Sequence, residues 1–332
     1  MKKLVAILVM AAMAAIVLAA PGEPLGFFRD QVNPTTTNDG RVAVVGNPFS
    51  SPTGCPTIYV YNYRQTEPCF TLSGNEPRWS PDGSKLAYRT NDSSNVYGLK
   101  VVRVYGNILG ETLFDTNLNN GSRFGQLTWV SNDTIMLVTY KSLVRYNINT
   151  GVKEVLKTFN DIRDCTNPEY LGQGQYVYSG ANGVLVPGEY KDAIWDQDGN
   201  RLYYLDYGLI HKIRAMPNSP YRFIFIDNYN QVWSYSKLGL IDLLDGINSD
   251  VDFSPNGEYA CASTLSLPQG TYLNRIAMAG DCNGDFIVDD IDFLLVIGNF
   301  GNISSIGDCN GDGVVDDLDF LLVISNFGDT GN

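Results

Sequence analysis

The stretch Arg78-Trp-Ser-Pro-Asp-Gly-Ser-Lys-Leu-Ala-Tyr88 ends one strand on an aromatic residue, turns through Pro-Asp-Gly and returns on an alternating strand. Its turn chemistry is specific. Pro81 presets the backbone angle of a tight turn, Asp82 bonds the backbone locally, and Gly83 takes the positive-φ position that a hairpin bulge requires. The pattern returns in Asp252-Phe-Ser-Pro-Asn-Gly-Glu-Tyr-Ala-Cys261 and in Ile194-Trp-Asp-Gln-Asp-Gly-Asn-Arg-Leu-Tyr-Tyr204. Weaker copies begin at Asn38, Thr128 and Tyr170. Between these hairpins lie short apolar runs punctuated by Gly, Asn, Asp and Pro, and only 18% of the chain is charged, a mix that favours strands and turns over exposed helices.

Hairpin repeats every 40 to 50 residues or so are the mark of a blade-by-blade β-propeller. The region 25–279 is read as such a domain, mainly β; about 250 residues at about 42 per blade gives about six blades. A β-sandwich or barrel is the competing fold. The run Trp-Ser-Pro-Asp-Gly-x-x-Leu-Ala-Tyr at 79–88 resembles the repeat of TolB-like bacterial propellers, and the copy at Phe253 is similar. That resemblance implies a fold and no chemistry.

A second, sharper duplication follows. Gly280-Asp-Cys-Asn-Gly-Asp-Phe-Ile-Val-Asp-Asp-Ile-Asp-Phe-Leu-Leu-Val-Ile-Gly-Asn-Phe-Gly301 recurs 27 residues later from Gly307 to Gly328, with 18 identities in 22 positions. Oxygen-bearing side chains fall at loop positions 1, 3, 5, 9 and 12: Asp281, Asn283, Asp285, Asp289 and Asp292, then Asp308, Asn310, Asp312, Asp316 and Asp319. This is the spacing by which a chain folds around calcium, a hard cation that collects six or seven oxygens. The carbonyls of Ile287 and Val314 are expected to supply position 7, giving two calcium ions in all. Position 6, where the loop turns sharply, is Gly313 in the second copy and Phe286 in the first, so the first site is expected to bind more weakly. Clustered carboxylates repel one another without a cation, so the module is expected to need calcium to fold.

Asp at position 12, one helix after each loop and the tandem arrangement resemble the type I dockerin domain over residues 280–328. The resemblance implies a small α-helical module of paired F-hand or EF-hand-like loops. It also implies a cohesin-like protein partner whose choice depends on loop positions 10 and 11, here Asp290, Ile291, Asp317 and Leu318. Five successive apolar residues, Phe293 to Ile297 and Phe320 to Ile324, wrap all around each helix. Part of that surface must therefore meet a partner, either a separate protein or the chain's own propeller. Dockerins accompany polysaccharide breakdown, which the resemblance offers as context.

At the other end, Lys2 and Lys3 precede an apolar run from Leu4 to Leu18 and then Ala19, Ala20 and Pro21, the layout of a secretory signal peptide over residues 1–20. The chain is therefore expected to be secreted, with no membrane span once the signal is removed. Export permits disulfides among the six cysteines. Cys55 and Cys69 flank one hairpin and are the candidate pair; the partners of Cys165, Cys261, Cys282 and Cys309 stay open.

The formal charge of −13 is unevenly spread. From Asp281 onward the chain holds eleven acids and no base, leaving 25 acids against 23 bases in the rest of the sequence. Nucleic acid is excluded as a partner, because phosphate binding needs clustered Lys and Arg. Catalytic motifs are lacking: no Gly-x-Ser-x-Gly elbow, no phosphate loop and no zinc signature occurs. The one histidine, His211, sits in strand-like context. The chain is read as non-enzymatic; were it an enzyme, a glycosidase or polysaccharide lyase is the class implied. Acidic pairs such as Asp196 with Asp198 or Asp242 with Asp245 would then be the candidates, and tyrosines such as Tyr59, Tyr61, Tyr203 and Tyr204 would stack on sugar.

Overall fold

The computed structural model describes residues 26–29, 31–46, 56–62, 65, 67–91, 97–118, 126–161, 164–180, 192–205, 208–216, 221–227, 229–236, 241–245, 248–255, 257, 259–264, 270–275, 280–282, 287–303, 307–309 and 314–328. Among these residues, 24 strands form six four-stranded antiparallel sheets. Five are consecutive meanders: β2 (Gln31–Thr36) to β5 (Phe70–Ser73), β6 (Asn75–Trp79) to β9 (Ile108–Asn117), β10 (Leu127–Ser131) to β13 (Lys153–Thr158), β14 (Thr166–Gly172) to β17 (Arg201–Tyr204), and β18 (Ile210–Ala215) to β21 (Ile241–Asp245). The sixth joins β22 (Asn248–Phe253), β23 (Tyr259–Thr264) and β24 (Gly270–Arg275) to β1 (Gly26–Arg29) from the opposite end of the domain. That pairing ties the two ends of the ring together with backbone hydrogen bonds. The first strands β2, β6, β10, β14, β18 and β22 neighbour one another around a closed circle. The sheets stand around it as the blades of a propeller.

Packing between successive sheets holds the ring. Ala43, Ile58, Val60, Trp79, Leu86 and Tyr88 fill one interface, and Leu99, Val101, Leu127, Trp129, Ile135 and Leu137 the next. Both faces of most strands are buried, so the simple in-out alternation of a sheet with one wet face is weak here. Each fully buried Val, Leu, Ile or Phe side chain contributes about 1.5 to 3 kcal/mol relative to exposure.

The hairpin motif folds as its residues dictate. Gly83 N–H donates to Ser80 O at 2.8 Å and Ser80 N–H to Lys85 O at 2.9 Å, while Asp82 accepts from Ser84 N–H at 3.0 Å. Gly83 has φ 67°, and Gly257 in the second copy has φ 75° with the matching Gly257-to-Ser254 bond of 2.9 Å. These two copies, and those at Asn38, Thr128 and Tyr170, join the first and second strands of their sheets. The copy at 194–204 does not. It joins the third and fourth strands, β16 (Ala193–Asp196) and β17, because the same turn chemistry serves any hairpin.

After the propeller, two helices follow: α1 (Asp290–Asn299) and α2 (Asp317–Ser325). Among the described residues no helix is long and apolar enough to cross a membrane. Cys69 is a free thiol whose S–H donates to Gln65 Oε1 at 3.1 Å; Cys55, its expected partner, lies outside the described residues. Cys165 and Cys261 are buried free thiols, whereas Cys282 and Cys309 form a disulfide.

Candidate functional site

Two places gather polar chemistry: the propeller axis and the C-terminal pair of loops. At the axis, Arg78 leaves β6 and pairs with Asp252 of β22 and with Glu169 of β14, the latter at 2.9 Å. Arg214 of β18 reaches Asp252 at 3.2 Å, and Lys212 of the same strand pairs with Asp250. Gln126 completes the cluster, its Nε2 donating to Glu169 at 2.6 Å and its Oε1 accepting from Ile213 N–H at 3.3 Å. Three cations thus face three anions. Burial works against the Arg78 charge, but Asp252 and Glu169 outweigh it and raise its pKa; for Lys212 burial wins over Asp250 and the pKa falls. The pocket beside this cluster is lined by Glu76, Arg78, Gln126, Asn167, His211 and Lys212. Desolvation lowers the His211 pKa, with Asp227 opposing. With its charges paired to one another, the axis reads as a plug that locks the inner strands of four blades, with Gln126 just ahead of β10 adding a fifth.

A sequence signal for this cluster existed. Arg78, Glu169 and Asp252 each stand immediately before the aromatic residue of a hairpin copy, Trp79, Tyr170 and Phe253. Residues at that position turn toward the axis, and opposite charges there meet across it.

Of the glycosidase candidates, Asp196 is used in a turn: it accepts from Asp198 N–H at 3.0 Å and Asn200 N–H at 2.8 Å, and although burial pushes its pKa up, the side-chain and backbone bonds from Asn200 hold it lower. The side chains of Asp242 and Asp245 lie outside the described residues. Tyr59 and Tyr61 stack at 6.4 Å against the interface between the first and last blades, and Tyr203 packs on Phe225 at 4.8 Å, so these aromatics are used in packing.

In the C-terminal pair, the position-12 carboxylates are buried and hold each loop to the start of its helix. Asp292 and Asp319 are 0% exposed. Asp292 accepts from Cys282 N–H at 2.7 Å and from Asp289 N–H at 2.9 Å, and Asp319 from Cys309 N–H at 2.7 Å and from Asp316 N–H at 2.8 Å. Asp289 and Asp316 cap the helices in return, accepting from Ile291 and Leu318 N–H at 2.7 and 2.8 Å. Each loop therefore runs directly into a capping box, and the acidic first turn suits the positive end of the helix. Asn283, Asp285, Asn310 and Asp312 lie outside the described residues. Among the described residues no group of three His, Cys, Asp or Glu stands close enough to hold a metal. The donor set at the remaining positions, Asp281, Asp289, Asp292 and the Ile287 carbonyl with Asp308, Asp316, Asp319 and the Val314 carbonyl, is all hard oxygen. That chemistry fits calcium and does not suit zinc or copper.

The two repeats are woven together. Gly301 N–H, at the end of the first repeat, donates to Val315 O at 2.8 Å, and Gly328 N–H, at the end of the second, donates to Val288 O at 2.8 Å. Val288, Val296, Val315 and Val323 are each 0% exposed and make a small shared core, on which Phe293 and Phe320 lie with ring centres 5.3 Å apart. The outward faces match residue for residue: Ile291, Leu294, Ile297 and Phe300 on one repeat, Leu318, Leu321, Ile324 and Phe327 on the other, all about half exposed. Asp290 and Asp317 are exposed beside them.

No protein-family model matches the chain, and no curated protein matches it. Solved structures do. A chain of the mitotic checkpoint complex aligns at 12% identity with TM-score 0.51, covering 77% of this chain and 96% of that one. TolB from Acinetobacter baumannii aligns at 15% identity with TM-score 0.50, covering 71% and 63% respectively. A putative TolB from Agrobacterium tumefaciens aligns at 14% identity with TM-score 0.47. At such identities the likeness is one of fold: a mainly β, TolB-like propeller.

Proposed function

We propose that this chain is an exported, non-enzymatic attachment protein, in which a binding propeller is carried by a calcium-dependent module of dockerin type. The observation that carries the reading is the matched pair of loops. Each places a fully buried position-12 carboxylate against the start of a helix, and each helix presents the same exposed apolar stripe. Calcium would supply the positive charge that carboxylates packed this closely require, and Asp281, Asp289, Asp292, Asp308, Asp316 and Asp319 with Asn283, Asp285, Asn310 and Asp312 would hold it. Export is supported by the disulfide, which persists in oxidising compartments. The stripes would seat on a cohesin-like protein surface, placing the propeller in an extracellular assembly with polysaccharide as its context. The self-neutralised axis favours a propeller that binds protein over one that hydrolyses sugar.

Calorimetric titration of the full chain with calcium tests this directly. Two ions per chain are expected, with affinity abolished at one of them by Asp319→Asn. A chain that takes up no calcium would remove the basis of the reading.

A further inference from the structure

We propose that the Cys282–Cys309 disulfide sets the calcium affinity of both loops together, by holding them in register before a cation arrives. The inference rests on the calcium reading above and concerns its regulation. The two cysteines occupy loop position 2 of their repeats, 27 residues apart, with Cα atoms at 5.1 Å. Neither is a passive bystander within its own loop. Cys282 N–H is a donor to the buried Asp292 carboxylate, and Cys309 N–H to that of Asp319, each at 2.7 Å. The covalent bridge therefore links the two backbone positions that hold the last ligand of each loop.

Beside it, among the described residues, stand only the reciprocal backbone bonds between the repeats and a small core. The shared core is four valines with two phenylalanine rings, and the half-buried cysteines themselves complete it. Against it stand ten loop carboxylates and no base anywhere after Arg275. A small core facing that repulsion leaves the calcium-free module mostly unfolded, so a cross-link acts directly on the fraction of chains competent to bind. Closing a loop of this length shifts a folding equilibrium by about two orders of magnitude. Shared between two ions, that is a loss of about tenfold in apparent affinity for each when the bridge is opened. Because the bridge lies between equivalent positions of the two repeats, both ions feel it. A substitution in one loop lacks that symmetry.

Opening the bridge needs a reductant, and a small dithiol serves. Its thiolate attacks one sulfur and releases the other as a thiol, its second thiol then displaces the attacked sulfur from the mixed disulfide, and it leaves as a cyclic disulfide; two electrons and two protons pass to the protein, which gains two thiols. An environment that delivers such thiols would lower the calcium occupancy of both loops.

The test compares calcium titrations of the full chain in three forms: oxidised, dithiol-treated and Cys282→Ser/Cys309→Ser. The expected result is two ions in every form, with both bound at least about tenfold more weakly once the bridge is gone, whereas Asp292→Asn weakens mainly one. Affinities within about twofold of the oxidised chain would overturn the inference and leave the calcium reading standing. An oxidised chain that binds no calcium would overturn the reading itself. Chymotrypsin resistance supplies the second measurement, since no Lys or Arg follows Arg275 for trypsin to cut. At saturating calcium the serine variant is expected to regain the resistance of the oxidised chain; if it stays cleavable, the bridge is needed for folding as such, and the affinity proposal fails.

Discussion

The propeller and the C-terminal pair are both built by repetition, yet they solve opposite problems. Successive blades differ so much in sequence that only short hairpin motifs betray them, and each interface is a thick apolar layer such as Val177, Ile194, Ile213, Phe223 and Phe225. The two C-terminal repeats are 18 of 22 identical and share a core of four valines. A blade needs only apolar bulk and a turn, which many sequences supply. A loop that is to hold a cation, as proposed for the C-terminal pair, needs oxygen at fixed positions, which few do. Weak sequence repetition with strong packing, and strong repetition with weak packing, are two sides of one constraint.

The sharpest way to break the propeller is through its charges. Arg78→Met removes the cation shared by Glu169 and Asp252, both nearly buried, and leaves three carboxylates at the axis with two cations, Lys212 and Arg214. Stripping one partner from a buried pair costs about 3 to 5 kcal/mol. Urea unfolding is expected to show that loss in the tryptophan signal, all four tryptophans lying before residue 280, while calcium uptake by the C-terminal pair is unchanged. A variant as stable as the parent would mean that the network is ornamental.

The C-terminal pair is expected to break at a single methyl group. Gly307 has φ 85°, and a Cβ there would stand 2.6 Å from the carbonyl oxygen of Leu295 in the opposite repeat; Gly280 mirrors it against Leu322 at 2.7 Å. Gly307→Ala combines a left-handed backbone with a clash against rigid helix backbone, together about 2 to 4 kcal/mol. Gly106→Ala at a propeller hairpin tip has φ 58° but open space around it, so only the backbone cost of about 1 to 2 kcal/mol applies. Thermal unfolding of the two variants measures the contrast; equal losses would show that the close approach of the repeats is not tight.

How much of this was legible beforehand follows from the same contrast. The hairpin code located the first turns of five blades, because Ser-Pro-Asp-Gly chemistry is local. It misplaced the 194–204 copy, because a turn does not record which two strands of a blade it joins, and it passed over the β18 to β19 hairpin, whose connection lacks the motif. The ion network at the axis depends on side chains up to 174 residues apart, which only the ring closure brings together. In the C-terminal pair, the helix starts could be read directly, since the capping boxes are local. The disulfide could not, because pairing equivalent cysteines depends on how the repeats face each other.

Acidity separates the two regions again at Asp192. This carboxylate, at the start of β16, accepts from Ile210 N–H at 3.0 Å, and burial pushes its pKa up to about 6 from 3.8. A raised carboxylate pKa means that the fold disfavours the charged form. Its contribution to stability is therefore full below pH 4 or so and is lost as pH climbs to about 6, staying constant above that. Asp192→Asn, which keeps the acceptor and removes the charge, is expected to gain about 2 to 3 kcal/mol over the parent at pH 7 and nearly nothing at pH 4. A difference independent of pH would show that Asp192 is ionised at no such cost. The C-terminal carboxylates are expected to move the other way: cation-held groups lose their ligand as protons compete, so that module weakens as pH falls.

The smallest expected effect lies between the two repeats themselves. Their only sharp chemical difference within the loops is position 6, Phe286 against Gly313. A bulky residue in left-handed backbone costs about 1 to 2 kcal/mol, or a factor of roughly five to thirty in affinity. The first loop is therefore expected to fill after the second. Assigning the ions with Asp292→Asn and Asp319→Asn decides the order: the stronger binding step is to vanish with Asp319, the weaker with Asp292. Phe286→Gly should then bring the two steps together, and it separates backbone strain from every other cause. If that variant leaves the gap intact, the loops differ through their surroundings, most simply through the different residues that precede Gly280 and Gly307, and the near-identity of the repeats would not extend to their chemistry.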